Sequence, residues 1–293
     1  MKTCFIGFGE VGRIYAQAFS DAGITIDDVC EARFSEAGLQ LVDVLGATKH
    51  AEIGPWLAEC DLVISAVTGA VALDVARAAL PHMRQGTLLA DMTTAAPDQM
   101  QQAAMAAKAS GQLFVDVGIL GAVSIKKGAT ALVVAGDGAQ AFVPIAEKLG
   151  AKVKLLPGEA GDAVRLKLLR SVFTKGLEAL AVETLVAAEM QNLRDEFYDI
   201  ITDIDEARLQ QFLEVLVRTH VVHAARRGHE VHDASAQLDR LGLPPLVTGG
   251  VEKLFNRTAT HASRQGFDEP PSIEVALSWL AKTVGAPVEP AAV

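Results

Sequence analysis

The sequence predicts an α/β domain over residues 1–160 followed by an all-helical domain over residues 161–293. Three observations carry this prediction. Short apolar runs alternate with helical periodicities through the first half, the pattern of a parallel sheet covered on both faces. Strand-like runs stop near Pro157 and long helical patterns take over. A glycine-rich turn joins the first predicted strand to the first predicted helix.

Taken in order, residues 2–7 form a short apolar strand and residues 10–22 read as a helix. Residues 25–31 are a second strand, and further strands fall at 61–67, 87–92, 112–119, 131–135 and 152–156. Helical segments lie between most of them. Beyond residue 160 the helical stretches are 161–190, 206–227, 230–240 and 247–263, with a short last helix at 272–284. Proline-marked breaks at 241–245 and 267–271 separate the later ones, and the tail from 284 is expected to be loose.

Half of the 293 residues are hydrophobic, which fits an ordered globular chain. The net charge of −10, with no basic tract or aromatic ladder, argues against a nucleic-acid partner. A small anionic or polar substrate stays open, because a local cationic cluster overrides the global sign. Cys4, Cys30 and Cys60 are odd in number and far apart, and read as reduced apolar residues. No apolar run reaches the ~18 residues of a membrane-spanning helix, the N-terminus does not read as a signal peptide, and the cytoplasm is the expected location. Stretches such as residues 177–190 are more apolar than one solvated helix needs, so a homodimer is expected.

Gly7, Phe8, Gly9, Glu10, Val11 and Gly12 make a G-x-G-x-x-G turn between a strand and a helix. In that context the first glycine makes the turn, the second admits a pyrophosphate and the third lets helix and strand pack. The first half therefore reads as a Rossmann dinucleotide-binding domain. Glu31, at the end of the second strand, is placed to accept from the ribose hydroxyls of NAD, and Arg33 would instead receive the 2′-phosphate of NADP. NAD is favoured over NADP; Asp27 and Asp28 are the alternatives to Glu31 if the strand is shorter. Val67 and Thr68 end a strand on the cofactor side.

Four segments resemble the β-hydroxyacid dehydrogenase superfamily, which includes 3-hydroxyisobutyrate dehydrogenase and 6-phosphogluconate dehydrogenase. They are the glycine turn; residues 91–97 (DMTTAAP), like the family's D-x-[ST]-[ST]-x-x-P; residues 116–122 (DVGILGA), at the place of its substrate loop D-A-P-V-S-G-G; and residues 161–171, like G-x-G-x-x-x-K-x-x-N-N. The resemblance implies that Lys167 is the catalytic general acid/base, aided by Ser171, and that Thr94 contacts the nicotinamide ribose. It also implies that Leu120, Gly121 and Ala122 line the substrate. Leu120 replaces the serine that holds a carboxylate, and Arg170 with Ser171 replaces the asparagine pair. The helical half looks like a less-studied subgroup.

The residues themselves support part of this. Lys167, Ser171 and Lys175 recur at i, i+4 and i+8, near one line on a helix, with Arg170 beside it. Such a cationic line would bind an anionic substrate, so Arg170 and Lys175 are substrate-binding candidates; a solvated face is the bland alternative. Partial burial and neighbouring cations would lower the lysine toward the range useful for proton transfer. Arg226 and Arg227 are further anion-binding candidates. The histidine pairs 220/223 and 229/232 lack a third ligand cluster, so no metal is expected. The expected activity is an NAD(P)-dependent dehydrogenase of a β-hydroxy acid or related small polar alcohol. Imine-reductase-like reduction of C=N and a non-catalytic dinucleotide sensor are the alternatives.

Overall fold

The computed structural model describes residues 1–284. The expected loose tail lies outside the described residues, apart from Val284. The chain divides into two compact units, the first Met1–Val172 and the second from Phe173 onward.

The first unit is an eight-stranded sheet in the order β3-β2-β1-β4-β5-β6-β7-β8. Its strands are β1 (Thr3–Ile6), β2 (Ile26–Cys30), β3 (Thr48–His50), β4 (Leu62–Ser65), β5 (Leu88–Asp91), β6 (Leu113–Ile119), β7 (Leu132–Ala135) and β8 (Val153–Leu155). Its helices are α1 (Glu10–Asp21), α2 (Glu36–Leu45), α3 (Ala72–Ala79), α4 (Pro97–Ala109), α5 (Val123–Lys126) and α6 (Ala139–Lys148), followed by the start of α7 (Asp162–Met190). All pairings are parallel except β6 with β7. This departs from an all-parallel expectation for one pair, whose connection through the short α5 is not a full crossover helix.

Strand alternation sends successive residues to opposite faces. Phe5, Ile64, Ala90 and Val115 join Tyr15 and Phe19 of α1 in one core. Cys4, Val63, Leu89 and Phe114 join Ala76, Met100 and Ala103 in the other. The strand order reverses between β2-β1 and β4-β5, which opens a crevice at the carboxyl ends of the strands. Strand β3 escaped the sequence reading because its three residues, Thr48, Lys49 and His50, carry no apolar signal; pairing with β2 makes it a strand.

One expectation needs correction. Cys4 and Cys60 are joined in a disulfide, and only Cys30 is a free, buried thiol among the described residues. A separation of 56 residues hid the pair, but β4 lies beside β1, so Cys60, two residues before β4, returns to β1. The two compact units part inside α7, between Val172 and Phe173, a few turns beyond the junction expected at 160/161. The first turns of that helix bury Ala163 and Val164 against the sheet, so they belong to the first unit.

The second unit holds the rest of α7 with α8 (Arg194–Ile200), α9 (Leu209–Arg240), α10 (Thr248–Gln265) and α11 (Ile273–Val284). The two helices expected at 206–227 and 230–240 are one. Gly228 costs helix propensity of about 1 kcal/mol, yet Phe255 and Asn256 of α10 pack across it and the helix continues. Glu183 of α7 accepts from the Val247 and Thr248 backbone N–H groups at 2.8 Å and so caps α10.

Candidate active site

The first unit carries a cleft of about 880 Å³ at the carboxyl ends of β1, β2, β4, β5 and β6. Gly7, Gly9, Glu10, Val11, Glu31, Val67, Thr68, Thr94, Gly121 and Lys167 line it. These are ten of the residues singled out from the sequence, drawn from segments more than 150 positions apart.

At one end the backbone builds the site. Gly7 has φ +90°, and a Cβ there would lie 2.6 Å from the Ala66 carbonyl oxygen. A Cβ on Gly12 would lie 2.2 Å from the Gly7 carbonyl oxygen, so this glycine lets α1 pack against the turn. Gly9 is different: a Cβ there meets no protein atom within 4 Å. Its bare backbone faces open cleft at the start of α1, where free N–H groups and the helix dipole favour phosphate. These residues fit a dinucleotide. Phe8 itself is buried in the core, but its backbone N–H donates to the Glu31 carboxylate at 2.6 Å. That bond fixes Glu31 at the end of β2. Asp27 instead accepts from the Thr3 N–H, and Asp28 is buried against His50, so neither competes for the ribose position. Arg33 is exposed and does not line the cleft.

At the other end side chains build it. Lys167, on the second turn of α7, is half-buried and its ammonium donates to Thr94 Oγ1. Thr94 is not the cap of α4, since Ala96 holds that position. Burial pushes the lysine below its ordinary value, and the Asp116 carboxylate partly opposes this. Among the described residues lining the cleft, Lys167 is the sole cation, against Glu10, Glu31 and Glu52. Met92, Ile119 and Val123 are apolar wall residues near this end that sequence reasoning did not single out; their strand and loop positions were legible, their orientation was not.

Other candidates fall elsewhere. Leu120 packs with Val133, Ala135 and Ala163 rather than lining the cleft, because strand alternation turns it away from Ile119 and Gly121. Ala122 is the N-cap of α5 and does not line the cleft either. Ser171 is half-buried one turn beyond Lys167, and Arg170 is exposed; neither is among the lining residues. Lys175 belongs to the second unit, where it is exposed and ion-paired with Glu178 at 3.0 Å, so the cationic line is broken after its second turn. Arg226 pairs with Glu230, and Arg227 donates to Thr219 Oγ1 at 3.1 Å, both within the second unit. His232 pairs with Glu252 at 2.9 Å.

Residues 2–157 match the family of the NAD-binding domain of 6-phosphogluconate dehydrogenase. The chain is 26% identical over 255 residues to an uncharacterized protein of Methanothermus fervidus, spanning 87% of this chain and 98% of that one. Among solved structures, a conserved protein reported to be structurally similar to 3-hydroxyacid dehydrogenases is 27% identical, with a TM-score of 0.61 over 88% of this chain and 96% of its own. An imine reductase from Aspergillus terreus, in complex with NADPH4, shares the fold at 18% identity, with a TM-score of 0.74 over 95% of this chain and 98% of its own.

Proposed function

The chain belongs to the family of the NAD-binding domain of 6-phosphogluconate dehydrogenase, and from that premise we propose that it is an NAD-dependent dehydrogenase acting on a β-hydroxy acid or related small alcohol. The observation that carries the reading is Lys167 Nζ against Thr94 Oγ1 in the cleft that the glycine turn opens.

In the direction of alcohol oxidation, the neutral Lys167 amine takes the proton from the substrate hydroxyl, and Thr94 Oγ1 holds the amine in place. In the direction of reduction, the Lys167 ammonium gives a proton to the carbonyl oxygen. A lysine at its ordinary pKa of about 10.4 is a poor base near neutrality, so the lowering by burial serves this role. A bound nicotinamide supplies acceptance and return of hydride at the same carbon.

The preference for NAD rests on charge. Glu31 and Glu52 both line the cleft, where they would repel a 2′-phosphate, while Arg33 does not line it. The relative in complex with NADPH4 makes this preference a point to test. A higher kcat/KM with NAD than with NADP, reversed or levelled in Glu31→Gln, is the expected result.

A second reading, imine-reductase-like reduction of C=N, is favoured by one specific feature. Apart from Lys167, no cation among the described residues lines the cleft, and Met92, Ile119 and Val123 make its lysine end apolar. A substrate without a carboxylate suits such walls. The test is a panel of hydroxy acids, polyols and cyclic imines with both cofactors, followed through the absorbance of the reduced nicotinamide. Turnover of an alcohol that is lost in Lys167→Ala supports the first reading; turnover of imines alone supports the second.

The second unit exposes Leu177, Val182 and Met190 of α7 at 54%, 60% and 49%. Exposed apolar side chains spread around this helix suit burial in a homodimer. Light scattering of the purified chain tests this, and a monomer at micromolar concentration would contradict it.

A further inference from the structure

The row Ser65, Asp91, Asp116 and Ala135 crosses four neighbouring strands in register, β4 through β7. All four residues are buried. The row lies on the α3–α4 face, among apolar neighbours such as Val63, Leu89 and Phe114. Two carboxyl groups side by side in such a setting cannot both carry charge at low cost.

Their hydrogen bonds are complementary. Asp91 Oδ1 accepts from the Thr93 backbone N–H at 2.8 Å and from the Thr93 hydroxyl. Asp116 Oδ2 accepts from the Gly161 and Val164 N–H groups at 2.9 and 3.1 Å. The remaining oxygen of each, Asp91 Oδ2 and Asp116 Oδ1, is buried without a hydrogen-bond partner in the protein. The Ser65 hydroxyl beside Asp91 is unpartnered as well; a single proton between the two carboxyls would satisfy both of their orphaned oxygens at once and leave Ser65 free to donate to Asp91.

We infer that Asp91 and Asp116 share one proton, Asp91 Oδ2–H donating to Asp116 Oδ1, and that the one negative charge left on the pair holds the first turn of α7 and supports the ammonium form of Lys167. Asp116 is thus a positioning residue. It ties β6 to the start of the helix that carries the lysine, five residues before it at Asp162. The direction of the shifts agrees: burial raises both carboxyls, Asp116 to about 6, and the charge on Asp116 acts on Lys167. The groups facing the pair are few. β4 offers the Ser65 hydroxyl, β5 Thr93, β7 only Ala135, and α7 its backbone N–H groups and Lys167. Asp98 on α4 is exposed, and Asp162 is engaged by Arg165 and the Glu159 N–H.

The role of the pair for Lys167 rests on the proposed catalytic reading, but its proton count does not. Infrared difference spectra of the whole chain with isotope-labelled aspartate, without cofactor or substrate, read that count directly. The expected result is the carbonyl stretch of a buried, protonated carboxylic acid at neutral pH, lost in Asp91→Asn. The Lys167 amine is then titrated by NMR of its methylated form, assigned with Lys167→Arg. Asp91→Asn keeps one negative charge on the pair and leaves the lysine midpoint in place. Asp116→Asn, whose amide oxygen still accepts from Gly161 and Val164, removes that charge and lowers the midpoint by about one pH unit. Absence of the protonated carboxyl in the unsubstituted chain overturns the inference, as does an equal lysine shift in both variants, which means that both carboxyls are ionised. The unsubstituted chain decides the first point even if a variant fails to fold. Full turnover in Lys167→Ala with the carboxylic signal intact would sink the catalytic reading and leave the shared proton standing.

Discussion

The turn from Gly7 to Gly12 and the cluster of Thr94, Asp116 and Lys167 serve the same cleft region by different means. The turn is one continuous segment whose binding groups are backbone N–H groups, and its side chains matter mostly by being absent. The cluster gathers side chains from the end of β5, from β6 and from α7, held by hydrogen bonds across 45 to 73 residues of sequence. A backbone site tolerates chemistry-neutral change until a Cβ intrudes. A side-chain site depends on the protonation of each member, so pH and charge are its natural controls.

The largest expected effect separates the two. Lys167→Ala should lower kcat by roughly 10²- to 10⁴-fold, the range for loss of a general acid/base, while calorimetric affinity for NAD stays within about twofold of the unsubstituted chain. Equal losses in both quantities would mean that the lysine serves the cofactor end instead.

The strands beneath the glycine turn supply the next test. The Cys4–Cys60 bond closes a loop of 56 residues between β1 and the start of β4. Loop-closure entropy assigns such a crosslink about 4 kcal/mol. Reduction should lower the denaturant midpoint by a corresponding amount, with thiol assays of the unfolded chain rising from one reactive thiol to three. Three thiols before reduction would remove the bond from the account.

At the lysine end, pH should act through Asp116. Its folded-state carboxyl is raised to about 6 from an ordinary 3.8, so the folded chain binds more protons than the unfolded chain between those values. The associated stability is fully present below about pH 4 and is lost as pH rises through about 6, by up to roughly 3 kcal/mol. Denaturation midpoints across this window should decline in the unsubstituted chain and flatten in Asp116→Asn, after allowance for the other carboxyls.

The smallest effects divide the turn itself. Gly12→Ala forces a Cβ to 2.2 Å from a backbone oxygen, and overpacking of this kind costs about 1–3 kcal/mol. Gly9→Ala meets open space, so thermal stability should stay unchanged while NAD affinity falls. A loss of stability in Gly9→Ala with intact affinity would reverse the roles given to these two glycines.

The same contrast explains what the sequence made legible. The glycine turn could be read because its residues are contiguous and its strand-and-helix context is local. Strands β1, β2 and β4 to β8 were legible within a residue or two because apolar runs marked them. Lys167 was visible as part of a cationic line and through its resemblance to a known motif; Glu178, three residues after Lys175, was legible as the first acidic partner of that line, but not that α7 is divided between two units before Lys175. The Cys4–Cys60 bond and the orphaned oxygens of Asp91 and Asp116 depend on which strands lie side by side. Strand order is a tertiary property that no periodicity encodes.

The most direct test of the central claim compares two lysines of one helix. Competitive acylation at graded pH, with each lysine read by mass spectrometry, measures the amine pKa and accessibility of Lys167 and Lys175 together. The account predicts that Lys167 titrates below the ordinary lysine value and is shielded when NAD is added, while exposed Lys175 is not shielded. A Lys167 that titrates like an ordinary surface lysine and reacts equally with and without NAD would contradict it.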